Sequence, residues 1–274
     1  MLTLVTATLN AARLLDRAIA SAVAQGVAYQ HIVVDGGSTD ATAAICARVP
    51  ELDFVRAPSS SIYEAWNIGI QRARGEAVLF LNADDELAPG ALAIVEQVLG
   101  ERPEVEIVAG KASFEDDDAP TTPLIHHVAA SGGALSLVQL VAGVPAINAM
   151  AFRPSLFRRY GDVETRYRIA GDRAFLLRLA LAAEPPIIAP VDAVLYRYHV
   201  HSGSLTLKRS LEQRLRVARD HLALSRQLLG EAPPAEAARW LRHMRRREAT
   251  VAGLRCLAAG RPVEAAEFLR GFFS

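Results

Sequence analysis

Residues 2–35 read LTLVTATLNAARLLDRAIASAVAQGVAYQHIVVD, and this stretch decides the fold. Two apolar runs rich in β-branched residues, 2–7 and 31–35, flank a segment at 12–25 whose apolar residues recur with helical spacing. A strand, a helix and a second strand in this order are typical of a βαβ unit, which joins two parallel strands. The stretch therefore predicts an α/β fold built on a parallel sheet.

The same alternation continues along the chain, and the C-terminal part becomes helical. Leu211, Leu215, Ala218, Leu222, Ser225 and Leu229 recur at steps of four and three, which marks one face of a helix that ends before Pro233. The further predicted elements are strands at 52–57, 77–82 and 105–113, helices at 39–48, 62–73, 172–183, 235–259 and 262–272, and a polar loop at 115–123.

This pattern suggests two parts. We expect a domain at 1–204, with a nucleotide-binding part at about 1–100 and an acceptor part at about 101–204, and a helical region at 205–274. The apolar face from Leu211 to Leu229 suits a dimer contact as well as a contact with the domain, so the oligomeric state stays open.

Composition excludes several classes of protein. Of 274 residues 51% are hydrophobic and 22% charged, as in globular proteins, and no apolar run approaches the ~18 residues of a membrane helix. No signal-peptide pattern opens the chain, so we expect a cytoplasmic location. The two cysteines, Cys46 and Cys256, lack the spacing of a disulfide framework or a zinc site.

The C-terminal helices are basic. Residues 205–274 hold 14 Lys/Arg against 7 Asp/Glu, although the formal net charge of the chain is zero. The arginine-rich segment RHMRRRE (242–248) is ordinarily a solvated helix face, and peripheral association with anionic lipid at the inner face of the cell membrane is the alternative. Nucleic acid is not an expected partner, because aromatic residues are not interleaved with the arginines.

Polar residues gather where the predicted strands end. In an open α/β sheet, ligands bind outside the carboxyl ends of the strands. No GxGxxG or GxxxxGK[ST] motif occurs, which argues against a dinucleotide-binding domain and a P-loop NTPase. The candidate side chains at this edge are Thr6, Thr8 and Asn10 after the first strand, Asp35 at the end of the second, and Asp84 and Asp85 after the fourth.

The adjacent acids of LNADDEL (81–87) need a counter-charge, because two neighbouring carboxylates repel each other. A solvated turn would satisfy them. A divalent cation that bridges carboxylates and phosphate oxygens is the other solution, with Asp84 and Asp85 as ligands and the amide oxygen of Asn82 beside them.

Four segments together resemble the family-2 inverting glycosyltransferases of the GT-A fold. They are TATLNAARLLDRAIASAVAQ, IVVDGGSTDATAAI, IYEAWNIGIQRARGEAVLFLNADDEL and YRIAGDRAFLLRLA, in the family's order and spacing over most of residues 1–200. The resemblance implies a Rossmann-type mixed sheet flanked by helices, here with a helical C-terminal appendage. As a set, the segments are highly specific, whereas any one of them alone would mean little.

The resemblance also implies roles for individual residues. Asp35 would contact the nucleotide base, with Thr6, Thr8, Asn10 and Asn67 along the nucleotide. Asn82, Ala83 and Asp84 stand for the family's DxD element, which holds Mn²⁺ or Mg²⁺ on the diphosphate. Asp172 of AGDRAF would be the general base. His199 or His201 would be a further metal ligand and Arg197 a diphosphate contact, in a region that closes over the donor in similar enzymes.

The expected reaction is metal-dependent transfer of a sugar from a nucleotide sugar, with UDP the commonest nucleotide in the family, to a hydroxyl of a glycan or lipid-linked glycan. A base that deprotonates the acceptor and a metal that stabilises the leaving diphosphate suffice for this chemistry. Two departures from the family pattern, Asn82 in the metal motif and Gly171 where many members have Glu, favour the alternative of a non-catalytic nucleotide-sugar-binding or glycan-assembly protein. A nucleotidyltransferase is less favoured, because TATLNA lacks a basic, glycine-rich signature.

Overall fold

The computed structural model describes residues 1–117, 122–127, 130–131, 133–201 and 210–273. The strands of this part are β1 Leu2–Thr8, β2 Tyr29–Asp35, β3 Leu52–Arg56, β4 Val78–Phe80, β5 Glu86–Leu87, β6 Ile107–Asp116, β7 Leu124–His127, β8 Ala130–Ser131, β9 Ala134–Leu135, β10 Met150–Phe152 and β11 Ile188–Val200. The helices are α1 Leu15–Val23, α2 Thr42–Cys46, α3 Ile62–Arg72, α4 Ala91–Glu101, α5 Leu137–Ala142, α6 Pro154–Tyr160, α7 Gly171–Ala180, α8 Leu211–Gly230, α9 Ala235–Ala258 and α10 Pro262–Phe273.

A mixed sheet organises the molecule in the order β3-β2-β1-β4-β10-β6-β11-β5, with β7 paired to β6. Strands β1 to β4 form its parallel half, as the βαβ pattern predicts. Strand β10 runs antiparallel between β4 and β6, and β11 is parallel to β6. The predicted α/β class with a mixed sheet flanked by helices is therefore confirmed.

The strand register brings the polar residues to one edge. Thr8 lies opposite Asp35, and Asp35 lies opposite Arg56, so the carboxyl ends of three neighbouring strands meet. Beneath them the core is aromatic: Trp66 is 2% exposed and stacks on Phe80 at 4.2 Å between ring centroids. Trp66 is therefore a core residue, and its stacking anchors α3 against the sheet.

The three C-terminal helices pack within the chain. The apolar face predicted along α8 is divided between two cores: Leu215, Ala218 and Leu222 pack with residues of α9 and α10, while Leu229 packs against the main core. Much of this face is therefore covered by the chain's own residues, and the oligomeric state stays open. No helix of the described part is long and apolar enough to cross a bilayer.

Some elements differ from the expectation. β5 and α4 lie where no element was predicted, and α2 spans only Thr42–Cys46. His126 and His127, just beyond the predicted polar loop, lie in β7, which pairs antiparallel with β6. Because this pairing joins residues that are not neighbours in sequence, no local sequence pattern predicts it. The predicted loop at 115–123 falls partly outside the described residues.

Candidate active site

Hydrogen bonds of Asp35 and Asn10 connect the loop after β1 with the loop after β2. The Asp35 carboxylate is buried and accepts the backbone N–H of Ser38 at 3.0 and 3.2 Å and also the Ser38 hydroxyl. The Ser38 Oγ in turn accepts the backbone N–H of Asn10 at 2.8 Å, and the Asn10 amide oxygen accepts that of Thr39 at 2.9 Å. Both side chains thus shape the crevice wall; a contact of Asp35 or Asn10 with a nucleotide stays a prediction.

Thr6 and Thr8 lie on the same face of β1 but differ in their partners. The Thr6 hydroxyl is 2.9 Å from Nε2 of His31, and burial lowers the pKa of this imidazole to about 4, so it is neutral at pH 7. Thr8, at the end of the strand, is 6% exposed, and its buried Oγ1 has no hydrogen-bond partner in the described part of the chain. Buried hydroxyls are normally bonded, so Thr8 is the better candidate for a ligand contact.

Asp85 turns into the protein. Its carboxylate accepts hydrogen bonds from the Tyr196 hydroxyl at 2.9 Å, the His199 backbone N–H at 2.9 Å and the Asn82 amide at 3.0 Å, and the residue is 3% exposed. Burial, with the neighbouring charge of Asp84, raises the pKa of Asp85 to about 7. Because protein donors occupy both oxygens, this geometry disfavours the expectation that Asp85 is a metal ligand.

Asp84 has the opposite orientation. Its side chain is 35% exposed, and Oδ2 lies 3.3 Å from Nε2 of His201. The amide oxygen of Asn82, in the same turn, is buried with no hydrogen-bond partner among the described residues. An imidazole, a carboxylate and an unsatisfied amide oxygen are donors that fit Mn²⁺ or Mg²⁺. No group of three or more His, Cys, Asp or Glu positioned for a metal occurs in the described ranges, so the fit depends on Asn82.

His199 and Arg197 have protein partners instead. The two ring nitrogens of His199 lie 2.6 Å from Glu86 and 2.7 Å from Asp117, which favours His201 over His199 as the further metal ligand. The Arg197 guanidinium is 3.8 Å from Glu115. The residues that follow His201, from 202 to 209, lie outside the described part, and a diphosphate contact of Arg197 stays a prediction.

Asp172 lies in the first turn of α7, and both of its hydrogen bonds fall on one oxygen. Oδ1 accepts the backbone N–H of Arg173 at 2.7 Å and the Tyr63 hydroxyl at 3.2 Å, whereas Oδ2 accepts no hydrogen bond from the described residues. Burial raises the pKa of this carboxyl above its ordinary value, against the lowering effect of the Arg173 charge. A carboxylate with one uncommitted oxygen and a raised pKa suits a general base.

Gly171 explains one departure from the family pattern. A Cβ at this position would lie 2.2 Å from the carbonyl oxygen of Glu164 and 2.6 Å from the ring of Tyr63. The backbone that carries Asp172 therefore packs directly on α3 and on its own preceding loop. The close packing at Gly171 is therefore a structural reason for the departure from Glu at this position.

Tyr198 connects the two acidic regions. Its hydroxyl donates to the amide oxygen of Asn148 at 2.9 Å. Burial raises the pKa of Tyr198 well above its ordinary value, and the charges of Asp85, Asp172 and Asp84 raise it further. Because Coulomb interactions fall with distance, the carboxylates of the turn after β4 and of α7 both lie in the neighbourhood of this phenol.

Asn67 has a structural partner. Its amide nitrogen donates to the Val163 carbonyl at 2.8 Å and its amide oxygen accepts the Val163 N–H at 3.0 Å. These two hydrogen bonds tie α3 to the segment before α7, and the predicted nucleotide contact of Asn67 gains no support from them.

Tyr63 was not among the predicted site residues, although it lies in the matched segment IYEAWN.

Comparison with known proteins identifies the class. The family model described as "Glycosyl transferase family 2" matches residues 3–160, more than half of the chain. The chain therefore belongs to glycosyltransferase family 2, and it is a glycosyltransferase of the GT-A-like fold predicted from the sequence.

Individual proteins are similar over much of the chain. A PGL/p-HBAD biosynthesis glycosyltransferase of Mycobacterium bovis is 30% identical over 186 residues, which are 65% of this chain and 69% of the relative. Staphylococcus aureus TarS 1–349 in complex with UDP-GlcNAc superposes with a TM-score of 0.66 at 16% identity, covering 99% of this chain and 81% of that fragment. The chain spans 43% of the longer TarS structure.

A third similar protein was solved with a different nucleotide sugar. The mannosyltransferase PcManGT of Pyrobaculum calidifontis, in complex with GDP-Man and Mn²⁺, has a TM-score of 0.65 at 18% identity and covers 98% of this chain and 78% of its own. At such low identities the two structures establish the fold. Glycosyltransferases that bind different nucleotide sugars share it.

Proposed function

We propose that this chain is a metal-dependent inverting glycosyltransferase in which Asp172 is the general base. The observation that carries the proposal is that the charges of Asp84, Asp85 and Asp172 all act on one buried phenol, that of Tyr198, so the two acidic regions lie near a common side chain. A donor diphosphate near Asp84 and an acceptor hydroxyl near Asp172 would then meet in one crevice. This is the arrangement that a direct displacement at a sugar carbon needs.

Asp172 would act through its uncommitted Oδ2. The carboxylate removes the proton of the acceptor hydroxyl as the oxygen attacks the anomeric carbon, and the bond to the donor phosphate breaks on the opposite face. One displacement inverts the anomeric centre. Oδ1 is held by Tyr63 and by the N–H of Arg173, so the side chain is oriented before substrate arrives.

Asn82, Asp84 and His201 are the residues that would hold the cation. The support is their donor chemistry together with the unsatisfied amide oxygen of Asn82. A divalent cation, Mn²⁺ or Mg²⁺, supplies positive charge that stabilises the leaving diphosphate. Asp85 fixes this turn by binding the Asn82 amide, the Tyr196 hydroxyl and the His199 backbone.

The donor would be a nucleotide sugar, with a UDP-sugar as our first choice. TarS is named in complex with UDP-GlcNAc and PcManGT with GDP-Man, so relatives of this fold accept both kinds of nucleotide. Thr8, whose buried hydroxyl has no partner among the described residues, and Asp35, opposite it in the sheet, would form the nucleotide side of the proposed crevice together with Ala83.

The acceptor would be a glycan or a lipid-linked glycan at the cytoplasmic face of the membrane. The M. bovis relative takes its name from PGL/p-HBAD biosynthesis. The exposed face of α9 supports a membrane location: it carries Arg242 and Arg246 in its first half and Leu254 and Leu257, 59% and 50% exposed, in its second. Basic and apolar groups on one helix face suit an anionic lipid surface.

The test is donor turnover over a panel of UDP-, GDP- and dTDP-sugars with Mn²⁺, Mg²⁺ or a chelator. Wild type should release nucleoside diphosphate from one donor in a metal-dependent manner, and NMR of the first product should show the inverted anomer. Asp84→Ala should lose the dependence of turnover on metal, and Asp172→Asn should lose turnover itself. Asp162→Asn, an exposed acid in the loop before α7, is the matched control and should behave as wild type. Full turnover by Asp172→Asn would refute the assignment of Asp172 as the general base.

A further inference from the structure

The helix α8 contacts the segment that delivers Asp172. Oδ2 of Asp220, on α8, accepts the backbone N–H of Ile169 at 2.7 Å. Ile169 lies just before the first turn of α7, separated from Asp172 by Ala170 and Gly171. A carboxylate that accepts a backbone N–H makes a charge-assisted bond, which is stronger than a bond between neutral groups. The C-terminal helices therefore reach the immediate neighbourhood of the proposed base.

The other polar group of Ile169 is also held. The Tyr63 hydroxyl donates to the Ile169 carbonyl at 2.6 Å and lies 3.2 Å from Oδ1 of Asp172. The Ile169 backbone is thus clamped between Asp220 on α8 and Tyr63 on α3. Through Tyr63, the same clamp reaches the carboxylate itself.

Nearby contacts show that α8 and α9 dock over a wider area. The amide oxygen of Gln227 accepts the Tyr167 hydroxyl at 2.6 Å and the Arg166 guanidinium at 2.9 Å. From α9, Arg247 donates to the Ala142 carbonyl at the end of α5 at 3.1 Å. Among these contacts, only that of Asp220 falls on the residue that Tyr63 clamps from the other side.

We propose that Asp220 is a positioning residue for Asp172, so that the C-terminal helical region forms part of the catalytic unit. The proposal rests on the assignment of Asp172 as the base. It goes beyond the family match, which ends at residue 160. In this proposal Asp220 acts on the backbone that sets where the Asp172 carboxylate lies.

The geometry gives a specific consequence. When Asp220 is removed, the Ile169 N–H loses its acceptor, and the first turn of α7 can move relative to Tyr63. A displacement of a catalytic group by about 1 Å can lower the rate by about 10²-fold. Binding of the nucleotide sugar should be unaffected, because Thr8, Asp35 and Asp84 lie on other elements.

The experiment compares Asp220→Ala, Asp220→Asn and Gln227→Ala in the full chain, with the donor that turns over. Asp220→Ala should lower kcat by roughly 10- to 100-fold. Its donor KM should stay within about twofold of wild type, because uniform binding is retained. Asp220→Asn keeps an acceptor oxygen and should recover most of kcat. Gln227→Ala, which removes a docking contact from the same helix, should keep kcat within about threefold, since it leaves the Ile169 clamp intact.

The pH dependence of kcat gives a readout that a loss of α8 docking alone would not change. The Tyr63 hydrogen bond lowers the pKa of Asp172, so a loosened clamp should move the acid limb of kcat to higher pH in Asp220→Ala. The charged or titratable groups that face Asp172 stay in place in this variant: Arg173 on its own helix, and His221 on α8, whose own pKa is lowered by burial. Should Asp220→Ala fold poorly, the same profile and the kcat measurement are made on Asp220→Asn, for which a smaller shift in the same direction is expected.

Two results would overturn the positioning role. One is a folded Asp220→Ala variant whose kcat equals that of wild type and whose kcat falls at the same acidic pH as that of wild type. The other is an equal loss of kcat in Gln227→Ala, which would mean that α8 merely docks. Asp172→Asn separates this test from its premise: if that variant keeps full turnover, the proposed base is wrong, whereas an inactive Asp172→Asn beside a fully active Asp220→Ala refutes only the role of Asp220.

Discussion

Gly171→Ala should lower kcat by about 10²-fold while changing donor binding little. The added methyl would lie 2.2 Å from the Glu164 carbonyl oxygen and 2.6 Å from a ring carbon of Tyr63. Carbon and oxygen atoms in contact need about 3.3 Å, so the backbone has to shift by about 1 Å. Overpacking of this kind costs about 1–3 kcal/mol, and the shift falls on the residue before Asp172.

Steady-state kinetics and thermal unfolding measure the two effects together. The melting temperature should fall by about 2–4 °C for each kcal/mol lost. Gly100→Ala is the matched control: Gly100 lies in α4 with nothing within 4 Å of an added methyl, so the substitution should leave kcat unchanged and stabilise the fold by up to about 1 kcal/mol. A Gly171→Ala enzyme with wild-type kcat would refute the claim that this packing positions Asp172.

Further predictions concern the crevice and the segment before α7. Asp172→Asn should lower kcat by about 10²- to 10⁴-fold, measured by nucleoside diphosphate release, with donor affinity by calorimetry unchanged. Because Asp172 must be ionised to act and burial raises its pKa, wild-type kcat should fall with decreasing pH at values above those of an ordinary carboxyl. Tyr63→Phe should move this limb to still higher pH, since it removes a hydrogen bond to the carboxylate; an unmoved limb would contradict that. Asp84→Ala should abolish the difference between Mn²⁺-containing and chelator-treated assays. Asn67→Ala should destabilise the protein by about 1–3 kcal/mol in denaturant titrations, with donor KM unchanged, because it leaves the Val163 backbone unpaired.

The parallel half of the sheet could be predicted from local sequence, since each of its strands is an apolar run separated from the next by a helical pattern. Of the other half, only β6 was predicted, as a strand at 105–113. β5 has two residues and β10 three, too short for a periodicity, and each is a strand only because a distant strand lies beside it. α4 went unpredicted for a different reason: it begins after Gly90 without a side-chain cap, so the usual start signal is missing.

The site was predictable in outline but not in the orientation of its side chains. Strand order placed Asp35 and Asp84 at one edge, and the resemblance added Asp172. His199 and His201 lie two residues apart, so the alternation of an extended strand gives both side chains the same face and cannot choose between them. They differ because the ring nitrogens of His199 lie against Glu86 and Asp117, contacts that no sequence pattern predicts. Asp220 and Tyr63 act through the Ile169 backbone, which a side-chain motif does not reveal.

The adjacent acids Asp84 and Asp85 divide two tasks that one carboxylate could not perform. A ligand for a cation and a diphosphate has to remain accessible, whereas a side chain that fixes the turn has to be buried and fully hydrogen-bonded. Asp85 meets the second requirement with three donors at 2.9–3.0 Å. Burial raises its pKa to about 7, and the charge of Asp84 adds to this cost of ionising Asp85. A cation bound at Asp84 would reduce that cost by offsetting the charge of Asp84. The pair should therefore be more stable in the metal-bound enzyme, and Mn²⁺ should raise the melting temperature of wild type but not of Asp84→Ala.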